Sequence, residues 1–202
     1  MTRPVNQKRR ILILRLVFLG LLVPLYIFAE PRFVPDSAPH EFIEALGILI
    51  LIAGVLGRFW STLYIGGHKN RTVMQDGPYS MTRNPLYFFS TLATAGIGLI
   101  SGSVTIALIT VGLVGTVLWQ TARREAAFLE NTFGEPYRTY AARVPFFFPD
   151  IRLFRTEAET LFSARSLRTN LQDAGAFLIF IPLIELLDLV HETWPIAIAR
   201  LW

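Results

Sequence analysis

The amino-acid sequence predicts an all-α integral membrane protein with about five transmembrane helices. Hydrophobic residues make up 52% of the chain and charged residues 17%, whereas about a quarter of the residues in a soluble domain are charged. The apolar residues are concentrated in long runs, and most of the charges lie between these runs. Because backbone groups inside a bilayer must be paired within the protein, each run is expected to cross the membrane as a helix.

This prediction rests on five apolar runs. They cover residues 11–29, 42–64, 85–100, 104–119 and 174–190. The first run follows a basic cluster, as a signal peptide would, but it is longer than the apolar core of a typical signal peptide. Glu30-Pro31 is also a poor cleavage context, so an uncleaved first helix is favoured.

The third and fourth runs predict a helical hairpin over residues 85–119. Only Ser101-Gly102-Ser103 separates them, and so short a turn joins antiparallel helices. Each arm would be about 24 Å long at about 1.5 Å per residue, which is short for a hydrocarbon layer of about 30 Å. Glycines in both arms predict close helix packing: Gly96, Gly98, Gly112 and Gly115.

The last apolar run contains two carboxylates, Glu185 and Asp188, one helical turn apart. In a spanning helix such a pair would indicate a functional site. In an interfacial helix the same pair would form a solvated acidic face. The sequence leaves both interpretations open.

Lysine and arginine counts predict the orientation. The segments 1–10, 30–41, 58–83, 101–103 and 121–172 contain four, one, four, none and eight of them. By the positive-inside rule, the N-terminus and both long polar segments face the cytoplasm. We therefore expect a multi-pass protein, of a bacterial inner membrane, whose chemistry is built from cytoplasmic loops.

Other classes of protein are disfavoured by composition. The chain has no cysteine, which excludes disulfides and thiolate metal sites. His40, His68 and His191 are scattered without ligand spacing, so no metal site is expected. The net charge of +4 comes from basic residues that flank apolar runs, which argues against nucleic-acid binding.

The first chemically informative segment covers residues 77–87. Asn84-Pro85 predicts a helix start, since Asn is a preferred N-cap and Pro is favoured at the first helical position. Such a helix end attracts a carboxylate or phosphate. Tyr87 follows Arg83 by one turn, so both can address one site. The alternative is an interfacial cap with a snorkelling Arg and a Tyr of the aromatic belt.

The second informative segment covers residues 123–149. Without other context it predicts an amphipathic helix on the membrane surface, with Phe128, Leu129 and Phe133 in the interface. Glu125 would then be a solvated charge.

Together, the two segments resemble one family. The pattern is Gly77-Pro78-Tyr79, then Arg83-Asn84-Pro85-Leu86-Tyr87 at the head of the hairpin, then Arg123-Arg124-Glu125, Phe133-Gly134-Glu135-Pro136-Tyr137 and Val144-Pro145 after it. Its order and spacing resemble the isoprenylcysteine carboxyl methyltransferases and related phospholipid methyltransferases. The resemblance covers about residues 66–149 and makes residues 1–202 a single membrane methyltransferase-like domain.

The resemblance implies a membrane enzyme that binds S-adenosylmethionine in a cytoplasmic pocket and takes a lipid-like substrate from the bilayer. The residues that match the family's cofactor-binding positions are Arg71, Thr72, Val73, Met74, Tyr79, Asn84, Pro85, Leu86, Tyr87 and Glu125. Asn84 stands where the family more often has His, which removes an imidazole base. Ala126 stands at the second Glu of the family's pair, so Glu130 is an alternative contact.

The expected catalytic residues are Arg83, Tyr87 and Arg124. Methyl transfer from a sulfonium requires mainly proximity and alignment. An arginine (Arg83, Arg123 or Arg124) would hold an anionic substrate group by a charge-assisted pair. A carboxylate acceptor needs no general base, whereas an amine requires Tyr87 or a carboxylate to take a proton. The alternatives are a nicotinamide-dependent membrane lipid reductase and a non-catalytic membrane scaffold derived from the family.

Overall fold

The computed structural model describes residues 7–33, 37–65, 72–157, 168, 171–172, 175–194 and 198–201. The chain is mostly helical, as predicted. Its helices are α1 (Gln7–Val17), α2 (Val23–Phe28), α3 (Ala38–Ile65), α4 (Pro78–Met81), α5 (Pro85–Ile100), α6 (Val104–Phe133), α7 (Glu135–Arg143) and α8 (Phe180–Thr193). A π-helical turn, Phe18–Leu22, joins α1 to α2, and a 3-10 turn covers Ile151–Leu153.

Three helical stretches are long and apolar enough to cross a membrane: Ile11–Phe28, Ala38–Ile65 and Val104–Phe133. Helix α5 is apolar but has 16 residues, as the hairpin prediction anticipated. Helix α8 has 14 residues. The predicted count of about five spans therefore stays a prediction for α5 and α8.

The first predicted span contains a π turn that the sequence did not predict. Pro24 lies just after this turn, and the Val23 N–H bonds to the Phe18 carbonyl, five residues earlier. Proline cannot donate to the helical ladder, and a π turn is one of the ways in which a helix adjusts around such an interruption.

Helix α6 is longer than predicted and runs 14 residues beyond Trp119, to Phe133. The predicted hairpin end at residue 119 is therefore wrong for the helix, although the apolar part does end there. The extension contains three Ala, two Arg and two Glu, which are good helix formers. It stops at Gly134, whose φ of 62° favours glycine.

Helices α3 and α5 pack closely through small residues. A Cβ added at Gly54 would lie 2.4 Å from the Ala93 nitrogen, and one at Gly96 would lie 2.4 Å from the Leu51 nitrogen. The predicted packing role of Gly96 is thus confirmed. It is wrong for Gly112, where an added Cβ would meet no atom of the described residues within 4 Å.

The C-terminal segment returns to the start of the bundle. Ile184 of α8 is buried in the core with residues of α3 and α5. After α8, strand β2 (Ala199–Leu201) pairs in parallel with β1 (Ala29–Pro31), a strand pair that the all-α prediction did not include. Of the two acids in helix α8, Glu185 is exposed and Asp188 half-buried.

Candidate active site

The head of α5 is held by the segment 145–150. Backbone pairs join Arg83 N to Pro145 O (2.9 Å) and Asp150 N to Met81 O (3.0 Å). Between them, the Thr82 hydroxyl donates to the Phe147 carbonyl at 2.9 Å. Two chain segments more than 60 residues apart are thereby fixed against each other at one end of the bundle.

Aromatic packing holds the same segment against α6. The ring of Trp119 lies 4.9 Å from that of Phe146 and 5.0 Å from that of Phe147, centroid to centroid. These distances suit edge-to-face and tilted aromatic pairs. Residues 146–147 therefore tie the end of the apolar hairpin to the start of α5.

Asn84 precedes α5, which begins at Pro85 as predicted. The predicted capping role of its side chain is wrong, because its Nδ2 donates to the Phe146 carbonyl at 2.7 Å instead of bonding to α5. The backbone N–H groups of Tyr87 and Phe88 donate to the Asn84 carbonyl. Asn84 is 9% exposed, so it is a buried link between α5 and the 145–150 segment.

The two motif segments meet at Tyr87 and Glu125. The Tyr87 hydroxyl donates to Glu125 Oε2 at 2.9 Å. Both residues are half-buried, so Glu125 is not the solvated charge that the amphipathic-helix alternative required. A carboxylate held in this way accepts a directed hydrogen bond and keeps oxygen lone pairs for another donor.

Tyr79 lies beside this pair. Its side chain is 6% exposed, and its hydroxyl has no hydrogen-bond partner among the described residues. Burial, reinforced by the negative charge of Glu125, raises the pKa of Tyr79 well above its ordinary value. The Tyr140 hydroxyl donates to the Tyr79 carbonyl at 2.8 Å and so fixes the backbone that carries the ring.

Arg83 lines a second cleft, together with residues of α6 and α7. Its guanidinium lies 5.2 Å from the centre of the Phe146 ring, and its buried Nε has no hydrogen-bond partner among the described residues. The cleft, of about 490 Å³, is lined by Arg83, Arg123, Ala126, Ala127, Glu130, Tyr137, Arg138, Ala141, Ala142 and Phe146. Burial raises the pKa of Tyr137, and the nearby Arg83 guanidinium opposes that shift. We call this cavity the Arg83 cleft.

Ala126, which stands where the family has a second Glu, lines the Arg83 cleft. Ala126 packs against the buried cluster of Tyr137, Tyr140 and Val144. Glu130, the alternative contact, is 3.0 Å from Arg138 Nε in an exposed ion pair.

The other predicted site residues are placed as follows. Val73 packs against the same tyrosine cluster, Thr72 is exposed and Met74 is half-buried. Pro85 is buried and Leu86 half-buried. Arg124 is exposed and lines neither the Arg83 cleft nor the cavity described next, whereas Arg123 lines the cleft. Arg71 lies outside the described residues.

A larger, mostly apolar cavity of about 670 Å³ lies within the helical bundle. We call it the membrane cavity. Its described lining consists of Ile11, Leu14, Phe18, Leu22, Val23, Tyr26, Ile27, Arg58, Tyr87, Ser90, Thr94, Ile97, Thr110, Val114, Leu118, Ala176, Phe177, Phe180, Leu183, Ile184 and Leu187. Tyr87 belongs to this wall while its hydroxyl bonds to Glu125, so it joins the cavity to the polar site.

Arg58 is a site residue that the sequence analysis missed. It donates to the Ser90 hydroxyl, and its guanidinium lies 5.4 Å from the centre of the Phe177 ring. The available signal was an arginine inside an apolar run, which marks a functional position by default.

Comparison with known proteins identifies a family whose model matches this chain. The family model described as phospholipid methyltransferase matches residues 42–136. This range includes most of α3 and all of α5 and α6, and therefore Arg58, Tyr87 and Glu125.

Two relatives match most of the chain. The cobalt-zinc-cadmium resistance protein CzcN of Cupriavidus metallidurans is 31% identical over 185 residues, which cover 92% of this chain and 84% of that protein. The nickel-cobalt-cadmium resistance protein NccN of Alcaligenes xylosoxydans xylosoxydans is 34% identical over 160 residues, covering 79% and 75%. No solved structure matches the chain significantly.

Proposed function

Because the chain belongs to the isoprenylcysteine and phospholipid methyltransferase family, we propose that it transfers a methyl group from S-adenosylmethionine to a lipid-like or small hydrophobic acceptor. The observation that carries this proposal is the position of Tyr87. Its ring lines the membrane cavity and its hydroxyl bonds to Glu125. A methyltransferase that takes its acceptor from the bilayer requires such a junction between an apolar cavity and a polar site.

The polar groups around this junction suit S-adenosylmethionine, which carries an ammonium, a carboxylate and ribose hydroxyls. Glu125 would accept hydrogen bonds from the ammonium or the ribose. Arg83 would hold the carboxylate, since its buried Nε has no partner among the described residues. The Tyr79 hydroxyl is a second such buried group, and buried polar groups normally find a partner.

When bound, S-adenosylmethionine supplies an electrophilic methyl group on a positively charged sulfur. The protein's own contribution is to bind, align and exclude water. The membrane cavity, with its apolar walls, would orient the acceptor chain, and its volume lies within the usual range of about 300–1,000 Å³ for small-molecule sites. Tyr87 and Glu125 would take a proton if the acceptor were an amine.

We assign binding to two groups of residues. Cofactor contacts fall to Tyr79, Arg83, Glu125 and the 71–74 segment, and acceptor contacts to Tyr87 and the membrane cavity. We further propose that the site faces the cytoplasm of a bacterial inner membrane, as the basic residues predict. Since both relatives are named for metal resistance, growth with cobalt, zinc or cadmium salts is the condition in which loss of this chain is expected to matter.

The decisive experiment is calorimetric titration of the detergent-purified full chain with S-adenosylmethionine, its demethylated product and NADPH. The proposal expects binding of the first two and none of NADPH. A nicotinamide-dependent reductase would give the opposite result, and a non-catalytic scaffold would bind none of the three.

A matched pair of variants tests the proposed contact. Glu125→Ala should weaken binding by about 1.5–3 kcal/mol, the usual contribution of a hydrogen bond to a charged group. Glu135→Ala, on the exposed first turn of α7, should leave affinity unchanged. If Glu130→Ala weakens binding while Glu125→Ala does not, the contact belongs to Glu130.

A further inference from the structure

A group of exposed apolar side chains lies in the segment that holds the head of α5. Phe148 is 71% exposed and Ile151 is 78% exposed, and Leu153 and Phe154 are also exposed. Single exposed apolar residues are common, whereas a contiguous group usually marks a contact with a partner or a membrane. We call these four residues the 148–154 patch.

The patch lies beside the ends of two apolar helices. The Phe154 ring is 5.8 Å from that of Trp60 in α3, centroid to centroid. The Phe148 ring is 6.4 Å from that of Phe88 in the first turn of α5. Trp60 follows Leu56, an exposed residue on the apolar surface of α3, by one helical turn. Because Trp is enriched where a spanning helix leaves the hydrocarbon layer, the patch continues the lipid-facing surface of α3 at the level of the head groups.

The charged groups of this segment are paired within the protein. Arg152 donates to both carboxylate oxygens of Asp150, at 2.9 and 3.0 Å, and Arg155 Nε lies 3.9 Å from Asp76 Oδ1. Residues 148–157 contain two arginines and two acidic residues, so the segment has no net formal charge. Attraction to anionic lipids requires an excess of basic residues. The segment therefore offers a partner mainly apolar surface.

We infer that the 148–154 patch enters the head-group layer of the membrane that α3 spans, and that apolar contact rather than charge holds it there. Segments that carry Phe, Leu and similar side chains bind at this depth more strongly as they bury more apolar area. The occupant of the patch is thus phospholipid. This inference does not depend on the proposed methyl transfer.

The contact bears on the candidate site because the same segment is bonded to the residues that lead into α5. The Asp150 N–H donates to the Met81 carbonyl at 3.0 Å. The Arg155 N–H donates to the Ser80 hydroxyl, also at 3.0 Å. A membrane contact on the patch therefore helps to fix the backbone of α4 and the start of α5.

The test measures the depth of single fluorescent labels in phosphatidylcholine nanodiscs. The chain has no cysteine, so Ile151→Cys and, separately, Phe148→Cys each place one label on the full-length protein. Leu49→Cys, at an exposed position within α3, marks the hydrocarbon layer. Thr139→Cys, at an exposed position on the polar helix α7, is the control. Lipids that carry a nitroxide on the head group or near the end of an acyl chain are the quenchers.

The labels at residues 148 and 151 should be quenched most strongly by the head-group nitroxide. The label at residue 49 should be quenched most strongly by the nitroxide near the chain end, and the label at residue 139 by neither. Absence of quenching at residues 148 and 151 overturns the inference and assigns the patch to another protein or to a second copy of the chain. Either of the two labelled variants decides this if the other does not fold.

A second set of measurements separates apolar contact from charge. Quenching of the label at residue 151 should stay the same when phosphatidylglycerol is added, when the salt concentration is raised, and in Arg152→Gln. Phe148→Ser should reduce this quenching, because it removes an apolar side chain from the patch. Quenching that requires the anionic lipid, or that is lost at high salt, overturns the inference that apolar contact holds the patch.

Discussion

The Tyr87 hydroxyl lies 2.9 Å from Glu125 Oε2, and this hydrogen bond joins the first turn of α5 to the part of α6 that extends beyond the apolar hairpin. The two residues are 38 positions apart in the chain. Tyr87 also lines the membrane cavity. A change at either residue should therefore affect cofactor and acceptor binding together.

Tyr87→Phe removes the donor of this hydrogen bond and keeps the ring in the cavity wall. We expect the affinity for S-adenosylhomocysteine to fall by about 0.5–1.5 kcal/mol, because Glu125 loses a group that orients it. Calorimetric titration of the parent and the variant measures this change. The corresponding change Glu125→Gln should cost more affinity, since it removes the charge as well.

Combining the two changes separates a direct contact from independent effects. Residues that share a hydrogen bond usually show a coupling energy of about 0.5–3 kcal/mol in a double-mutant cycle. Additive losses in Tyr87→Phe/Glu125→Gln would show that the bond does not serve binding.

Tyr79→Phe removes a buried hydroxyl that has no partner among the described residues. Its loss should leave the thermal unfolding temperature near neutral pH unchanged, whereas cofactor affinity should fall if this hydroxyl binds the cofactor. Tyr140→Phe is the matched control, and it should change stability where Tyr79→Phe does not. It removes a hydrogen bond to the Tyr79 carbonyl and should lower the unfolding temperature.

Tyr79→Phe also changes how the stability of the protein responds to alkaline pH. Burial raises the pKa of folded Tyr79 above its ordinary value of 10.0, so the unfolded chain loses this proton first. The stability that this residue contributes is fully present below pH 10 and falls as the pH rises further, by at most about 1.4 kcal/mol per pH unit. Above pH 10, the free energy of unfolding should therefore fall less steeply with pH for Tyr79→Phe than for the parent. An equal slope in both proteins would place the hydroxyl in water.

Gly96→Ala should destabilise the bundle, because the new Cβ would lie 2.4 Å from the Leu51 nitrogen and force α3 and α5 apart. A strained core insertion usually costs about 1–3 kcal/mol. Gly112→Ala is the control on α6, where none of the described residues lies within 4 Å of the new Cβ and alanine favours the helix by up to about 1 kcal/mol. Thermal unfolding in detergent distinguishes the two, and equal effects would contradict the packing.

The orientation predicted from basic residues is tested with reporter fusions. Fusions after residues 36, 70, 102 and 150 should report outside, inside, outside and inside. This pattern follows from the alternation of Lys and Arg between the segments. An outside signal at 70 or 150 would remove the cytoplasmic site from the proposal.

Local sequence signals predicted the parts of the fold that depend on neighbouring residues. Asn84-Pro85 marked the start of α5, and Ser101-Gly102-Ser103 marked the hairpin turn, in which Gly102 has a φ of 70°. The end of α6 was misplaced because apolar content, which sets the membrane boundary, was used as the helix boundary. Helix-forming residues continue the same helix past Trp119 to Phe133.

The site was harder to predict because its contacts are distant in sequence. Nothing near Arg58 indicates that Ser90 and Phe177 hold its guanidinium. The family resemblance identified Glu125 as a contact but gave no partner for it within the protein. That Tyr87 and Glu125 bond to each other follows from the antiparallel packing of α5 and α6.

Asn84 is where local and distant partners compete. Capping preference alone predicts that its side chain bonds to α5, yet its Nδ2 donates to the Phe146 carbonyl at 2.7 Å. Asn84→Ala removes this donor and leaves a buried carbonyl without its partner, at an expected cost of about 1–3 kcal/mol. Thermal and denaturant unfolding of the purified variant measure this cost.

Asn84→Asp decides between the two partners. As an N-cap, Asp is as good as Asn, so a capping role would leave stability unchanged. Against the Phe146 carbonyl, however, an ionised Asp offers no donor and places a negative charge beside an acceptor. We therefore expect Asn84→Asp to be at least as destabilising as Asn84→Ala near neutral pH. Asn84→His, which can donate through a ring nitrogen, should be the mildest of the three. Parent-like stability in the Asp variant would mean that the side chain caps α5 after all and that the contact with the 145–150 segment contributes little.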